Sequence, residues 1–412
     1  MSADRLTAVD AQSFWMSRKI PNDTFLAFGF AGVPDDLAAA LAEVRARAAT
    51  IDELTVRIDD GSPLLYPRWV RVGVDADQVV VREASSWSGC LKATVALIGD
   101  QLDVTARAWR MFVYPGVDGV PGVSGPGTVA VLQISHALGG GGRTNQSAAL
   151  MFGRDGVLPE VVPLRVNPLL LPLYGTRAGR AQRQLVADTE DGLVPPPTEP
   201  FPLSRSNNRP TGALSLRTIR RSRSSIPGTV TVGAMTAIAD ALADHLEERP
   251  ARLGAEVMVA KGGARRSYNH FGAAGVDLFP DLPRVERAEA ITAAIAARRE
   301  RAAHPAMAAQ SLAVAATPAP LLRWGVGQFD PDVRAPAVSG NTVVSSVNGG
   351  AVDYAFGGAP IAVLAAFPGL SPMMGLTHCV CGIGDTILLT VNAAESAIGD
   401  VDAYVERLEA AL

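Results

Sequence analysis

Cysteine is scarce in this chain: only Cys90, Cys379 and Cys381 are present. An odd, sparse count argues against a disulfide-stapled secreted scaffold and fits a reducing, cytoplasmic setting. Cys379 and Cys381 are one residue apart, whereas redox and zinc motifs use two intervening residues. The pair therefore reads as packing on a strand. Lysine is rarer than arginine by an order of magnitude, with Lys19, Lys92 and Lys261 the only three among 37 basic residues. That bias, with so much alanine, reflects a GC-rich genome rather than chemistry. Acidic residues number 41, which leaves a net charge of −4. A mildly acidic chain is a poor nucleic-acid binder, because phosphates need a positive surface. No uninterrupted apolar run reaches the roughly 18 residues of a membrane span. The nearest stretch, Val161 to Tyr174, is broken by Arg165, Asn167 and prolines. Met1 to Arg5 shows no basic segment leading into an apolar one, so no secretory leader is read there.

Several catalytic patterns are missing too. There is no G-x-S-x-G nucleophile elbow and no H-E-x-x-H zinc site. Gly139 to Thr144 is rich in glycine but lacks the spacing and the lysine of a phosphate loop. No acidic residue follows at the distance a dinucleotide site needs. No metal site is read.

What is present is a core-forming composition. Of 412 residues, 48% are hydrophobic, enough for two or three domains. Helix and strand signals alternate. Pro34, Asp35 and Asp36 open a helix over about 34–48, with Leu37, Leu41 and Val44 at helical spacing. Short strands are read near 67–73, 78–82 and 110–114. The strongest strand is Thr128 to Ser135, nearly all apolar and β-prone, as in a strand buried on both faces. A helix resumes near Asn145 and ends by Gly153. Dense proline around 195–210 sustains neither helix nor central strand, so 185–213 reads as a linker between two α/β halves. The basic run Arg217, Arg220, Arg221 and Arg223 is either an anion or lipid contact or a solvated face opposite acidic residues. The second half holds helices at 232–249 and 284–303, strands near 255–260, 342–347 and 386–391, and a final amphipathic helix capped by Asp400.

Five histidines are the main candidates for acid–base chemistry. His245 and His304 sit on helices and read as solvated; His270 and His378 read as structural. His136 differs. It stands where the buried strand ends and the four-glycine turn begins, and such strand ends are where α/β folds expose reactive groups. Glycines there let a substrate approach the backbone, and an imidazole serves as a general base near neutral pH. A buried histidine bonded to a backbone carbonyl is the competing reading.

With these residues in view, the chain resembles the bacterial wax ester synthase/diacylglycerol acyltransferase (WS/DGAT) family. That family belongs to the CoA-dependent acyltransferase superfamily, which includes condensation domains. Ser135-His136-Ala-Leu-Gly-Gly140-Gly141 is similar to the H-H-x-x-x-D-G motif at a strand end. Ala108 to Tyr114, Leu6 to Phe14, Thr229 to Val232 and the stretch from Val343 to Asp400 resemble other segments. The departures are Ser135 for the first motif His, Gly140 for the motif Asp, Gly233-Ala234 for N-D, and Ser345-Ser-Val-Asn-Gly349 for S-N-V-P-G. In the family the motif Asp pairs with an Arg to hold the loop that orients the His.

The resemblance implies two CAT-like α/β subdomains, 1–184 and 214–412, joined by the 185–213 crossover with a tunnel between them. It implies transfer of an acyl group from acyl-CoA, as co-substrate, to an alcohol such as diacylglycerol or a fatty alcohol. His136 would be the base, with Ser135, Gly139, Gly140 and Gly141 against the substrate and no tightly bound cofactor. Contact with a membrane or lipid-droplet surface follows from such substrates, although no strongly basic amphipathic helix is read. The rival expectation, motivated by Gly140, Gly233 and Ala234, is a degenerate homologue that binds lipid, acyl-CoA or a protein without turnover.

Overall fold

The computed structural model describes residues 5–412, so the leader reading at Met1 to Asp4 lies outside the described residues. Two six-stranded sheets organise the chain. The first runs, in spatial order, Ala355–Phe356, Ala359–Phe367, Thr24–Phe30, Gly127–Ile134, Trp109–Val117 and Val79–Val81. The second runs Leu214–Ser222, Thr386–Ala394, Leu376–Ile383, Thr342–Asn348, Gly254–Ala260 and Phe271–Asp277. Both sheets are mixed: Val79–Val81 is parallel to its neighbour, and Thr342–Asn348 is parallel to both of its neighbours. This is the α/β class expected from the alternating signals.

The strand Gly127–Ile134 is buried at all eight positions, as its apolar sequence requires. Helices Ala8–Met16, Leu37–Ala48 and Gly141–Met151 cover one face of its sheet around Phe28, Phe30, Phe152 and Trp109. Helix Trp87–Ile98 covers the other face, where Leu216 and Leu388 of the second sheet join the same core. A further core packs helices Val230–His245, Arg284–Ala303 and Val401–Ala411 against the second sheet.

Three features differ from the sequence reading. Asp36, not Pro34, starts the first-half helix: its carboxylate accepts the Ala39 N–H at 2.9 Å. The expected linker begins later, because helix Leu171–Glu190 runs into it, with Pro172 tolerated in its first turn. Ala355–Phe367, late in the chain, pairs into the first sheet in register with Thr24–Phe30. Within 191–213 the chain is anchored rather than loose. The ring of Phe201 is fully buried on Gly254, where a Cβ would lie 2.3 Å from it.

Cys379 and Cys381 are both buried on the strand Leu376–Ile383, with Sγ atoms 3.6 Å apart. Packing, as read from their spacing, is what they do. Three arginines of the basic run are matched. Arg217 pairs with Asp402 at 2.6 Å, Arg221 with Glu409 at 3.0 Å, and Arg223 donates to the carbonyls of Ile226 and Gly228.

Candidate active site

The strand Gly127–Ile134 delivers Ser135 and His136 to the seam between the two halves. Ser135 N–H donates to Ala108 O at 2.9 Å, which continues the sheet by one residue. Its hydroxyl accepts the Ala137 N–H at 3.2 Å and closes a single turn of 3₁₀ helix, His136–Leu138. Gly139 then turns the chain at φ 116°, a conformation that favours glycine. A Cβ there would also lie 3.0 Å from the Tyr268 carbonyl oxygen. Gly140 precedes helix Gly141–Met151, whose first N–H groups have no partner within the helix.

His136 is half-buried, and its ring meets the Phe271 ring edge-on with centroids 6.1 Å apart. Of its two nitrogens, Nδ1 is enclosed without a partner. Burial holds the imidazole below its usual value of 6.5, so the ring is neutral at pH 7. The competing reading, a ring bonded to a backbone carbonyl, is not what is seen: it is the His136 backbone that is bonded, its carbonyl accepting from Asn269 Nδ2 at 2.7 Å.

Asn269 is itself held by Asp10. The fully buried Asp10 carboxylate accepts the backbone N–H of Tyr268 at 3.1 Å and of Asn269 at 3.0 Å. It also accepts Asn269 Nδ2 at 3.2 Å and Thr7 Oγ1 at 2.8 Å. Burial raises the Asp10 pKa, and these four bonds oppose the rise. One carboxylate thus ties the first helix to a hairpin of the second half and, through Asn269, to the backbone of His136.

Gly140 stands where the resembling motif has its Asp. A Cβ at Gly140 would lie 3.1 Å from the Phe271 ring, so that ring takes up the side-chain space. The first turn of the following helix is instead fixed by Arg143. Its guanidinium bonds Glu53 through Nε at 2.8 Å and Nη2 at 2.6 Å, and donates to Pro159 O at 3.0 Å. It also lies over the Tyr268 ring at 5.0 Å. Ser147 Oγ donates to the other Glu53 oxygen. Both partners are enclosed, and burial raises the Glu53 pKa while Arg143 pulls it down.

The residues expected against substrate are brought together, but not all face outward. Ser135 and Gly139 are buried, whereas His136, Gly140 and Gly141 keep exposed surface. Gly141 packs on Val347 of the second half. Asn145, missed in the sequence, bridges the seam with Nδ2 donating to Asn348 O at 3.4 Å. Its Oδ1 and the Thr144 hydroxyl are buried without partners. The available signal was a polar sequence, Gly141 to Ser147, on a helix enclosed by both halves.

Of the remaining histidines, His378, His245 and His304 lie elsewhere. His378 is fully buried between Thr342 Oγ1 and Tyr404 Oη, both at 2.8 Å, and burial pushes it down to about 3. His245 and His304 are not solvated as expected. His245 bonds Ile398 O at 2.8 Å. His304 bonds Asp188 at 3.0 Å and caps helix Pro305–Ala315.

A cavity of about 330 Å³ opens between the halves, lined by Asp23, Phe25, Arg209, Phe367, Leu370 and Asn392 among others. Burial pushes Asp23 up to about 6. A second, shallower cavity of about 380 Å³ is lined by Arg47, Phe152, Asp353 and Tyr354. His136 lines neither. Among the described residues no helix is long and apolar enough to cross a membrane.

Comparison with known proteins agrees with this architecture. Residues 269–412 match the family described as the WS/DGAT C-terminal domain. Over the whole chain the fold is similar to that of a wax ester synthase/diacylglycerol acyltransferase from Marinobacter aquaeolei VT8. The TM-score is 0.62 at 16% identity, covering 99% of this chain and 98% of that one. A trichothecene 15-O-acetyltransferase from Fusarium sporotrichioides is similar at TM-score 0.61 and 13% identity, over 98% and 93%. The starter condensation domain of rhizomide synthetase, solved with C8-CoA and Leu-SNAC, is similar at TM-score 0.59 and 13% identity, over 99% and 93%. No curated protein sequence matches the chain. The expected likeness to the WS/DGAT family and the condensation-domain-like fold are both found.

Proposed function

We propose that this chain is an O-acyltransferase that moves an acyl group from acyl-CoA to an alcohol, with His136 as general base. The observation that carries the reading is the placement of His136. It ends a buried strand at the seam of the halves, it is neutral at pH 7, and its backbone is clamped by Asn269 and Asp10. In this mechanism the imidazole takes the proton of the acceptor hydroxyl. The alkoxide oxygen bonds the thioester carbonyl carbon, and negative charge collects on the carbonyl oxygen. The backbone N–H groups of Gly141 and Gly142, at the start of helix Gly141–Met151, are the donors proposed for that charge. The C–S bond then breaks, and the imidazolium returns its proton to the CoA sulfur. A positioned base of this kind contributes roughly 10²–10⁴-fold.

Diacylglycerol and fatty alcohols are the acceptors proposed, on the strength of the likeness at 269–412. Contact with a lipid surface belongs to the same proposal. Leu169 and Trp324 are 86% and 64% exposed, and Arg177, Arg180 and Arg183 lie on helix Leu171–Glu190. With Asp188 and Glu190 on the same helix, it is only weakly basic, as the sequence reading has it. The test is thiol release from a long-chain acyl-CoA, with and without an alcohol panel, on wild type and His136→Ala. Acceptor-dependent release that falls at least about 100-fold in the variant supports the reading. Folded wild-type protein that binds acyl-CoA but shows no acceptor-dependent release refutes it for that panel.

A second reading, a binder without turnover, is favoured by one observation: Nδ1 of His136 has no partner to fix its tautomer. Acyl-CoA binding that survives in His136→Ala, with wild type inactive on every acceptor, is its signature.

A further inference from the structure

The hairpin that clamps His136 carries a second feature. Its loop joins the strands Gly254–Ala260 and Phe271–Asp277 and holds Lys261, Arg265 and Arg266 with no carboxylate between Lys261 and His270. Among the described residues none of the three has an ion-pair partner, unlike the matched arginines at 217 and 221. Two reach only neutral carbonyls: Arg265 donates to Tyr268 O at 3.1 Å, and Arg266 to Val162 O at 3.3 Å. His270 stands among them. Its Nδ1 accepts the Arg266 N–H at 3.3 Å, and its Nε2 is buried without a partner. Burial and the charges of Arg265, Lys261 and Arg266 hold His270 below its ordinary value. Burial and Arg143 hold Arg265 down as well, while the nearby Glu53 and Asp10 carboxylates oppose that shift. The backbone is open where a ligand would approach: a Cβ at Gly262 or Gly263 would meet nothing within 4 Å.

This loop carries no carboxylate of its own, and it is chained directly to His136. Asn269 bonds the His136 backbone, and Phe271 packs on the His136 ring. Guanidinium groups bind phosphate in paired, charge-assisted hydrogen bonds, and a lysine adds a point charge. We propose that Lys261, Arg265 and Arg266 form the anion site that holds the phosphate groups of the acyl-CoA donor while its thioester reaches His136. The assignment rests on the acyltransferase reading above.

The test compares two donors, a long-chain acyl-CoA and the same acyl group on pantetheine, which has no phosphates. Lys261 and Arg266 are exposed, so Lys261→Ala/Arg266→Ala leaves the core intact, and Arg265→Gln is made separately. The expected result is a KM for acyl-CoA at least about tenfold higher, as for one lost charge-assisted hydrogen bond. Turnover of acyl-pantetheine should be unchanged, and the wild-type KM for acyl-CoA should rise with salt. An unchanged KM for acyl-CoA overturns the proposal, and so does an equal loss on both donors. If wild type turns over neither donor, the function reading fails, and calorimetric titration with CoA and with 3′,5′-ADP decides the site separately. Binding to wild type that is lost in the variants supports it; no binding, or equal binding, overturns it.

Discussion

Glu53 and Arg143 make a pair whose removal has a calculable cost. Both side chains are enclosed, at 5% and 6% exposure, and the carboxylate accepts two guanidinium N–H bonds and the Ser147 hydroxyl. Glu53→Gln removes the negative charge and leaves the Arg143 cation buried beside Tyr268. Breaking one side of a buried pair costs about 3–5 kcal/mol, because the partner charge stays uncompensated. Against a total stability of about 5–15 kcal/mol, that is a third or more of what holds the chain folded. Arg143→Met should cost a similar amount by leaving the carboxylate alone. Removing both charges together, in Glu53→Leu/Arg143→Met, should cost less than either single change. Urea unfolding of the four proteins at pH 7 gives the cycle directly. If the two single losses simply add in the double variant, or if each is below about 1 kcal/mol, the argument that this pair anchors the His136 loop is wrong.

Other outcomes follow from the same geometry. His378 has a folded value of about 3 against an ordinary 6.5, so the unfolded chain binds its proton first as pH falls. Stability is therefore fully present above pH 6.5 and declines below it by about 1.4 kcal/mol per pH unit down to about pH 3. His378→Gln should flatten that slope in urea titrations between pH 4 and 6; equal slopes would show that the imidazole does not stay neutral. The acid limb of kcat/KM should have its midpoint below 6.5, since burial lowers His136 and the base must be unprotonated. A midpoint above 7 contradicts the assignment. Asn269→Ala should lower kcat with little change in KM, because it frees the His136 carbonyl without touching the Lys261–Arg266 loop; a change confined to KM counts against a positioning role. Gly254→Ala should destabilise by about 1–3 kcal/mol or more, measured by thermal unfolding, through overpacking on Phe201.

The sequence exposed what is local. The run Thr128 to Ser135 is apolar enough to declare a central strand, and the break at His136 follows from the glycines after it. Asp400 at the last helix is likewise a local signal, confirmed by its bond to Ala403 N–H at 2.9 Å. What was hidden is non-local. Asp10 and Asn269 lie 259 residues apart, and Glu53 and Arg143 lie 90 apart. No periodicity reports such pairs, because each partner alone looks like an ordinary surface residue. Helix Leu171–Glu190 contains Pro172, Gly175 and Gly179, residues of low helix propensity, and was not read from the sequence. Its packing on helix Pro305–Ala315, through Gln182 to Gln310 at 2.7 Å, outweighs that propensity.

The crossing of Ala355–Phe367 into the first sheet has a consequence for how the chain comes to be folded. Thr24–Phe30 bonds Gly127–Ile134 on one side and this late segment on the other. During synthesis the first sheet therefore waits, with one flank of Thr24–Phe30 unsatisfied, until more than 300 further residues have emerged. A fragment ending in the proline-rich stretch would carry that flank permanently open, as a template for pairing with other chains. The two halves are thus interdependent in birth as well as in chemistry. Cutting the chain between them should yield an aggregating first half rather than a separable domain.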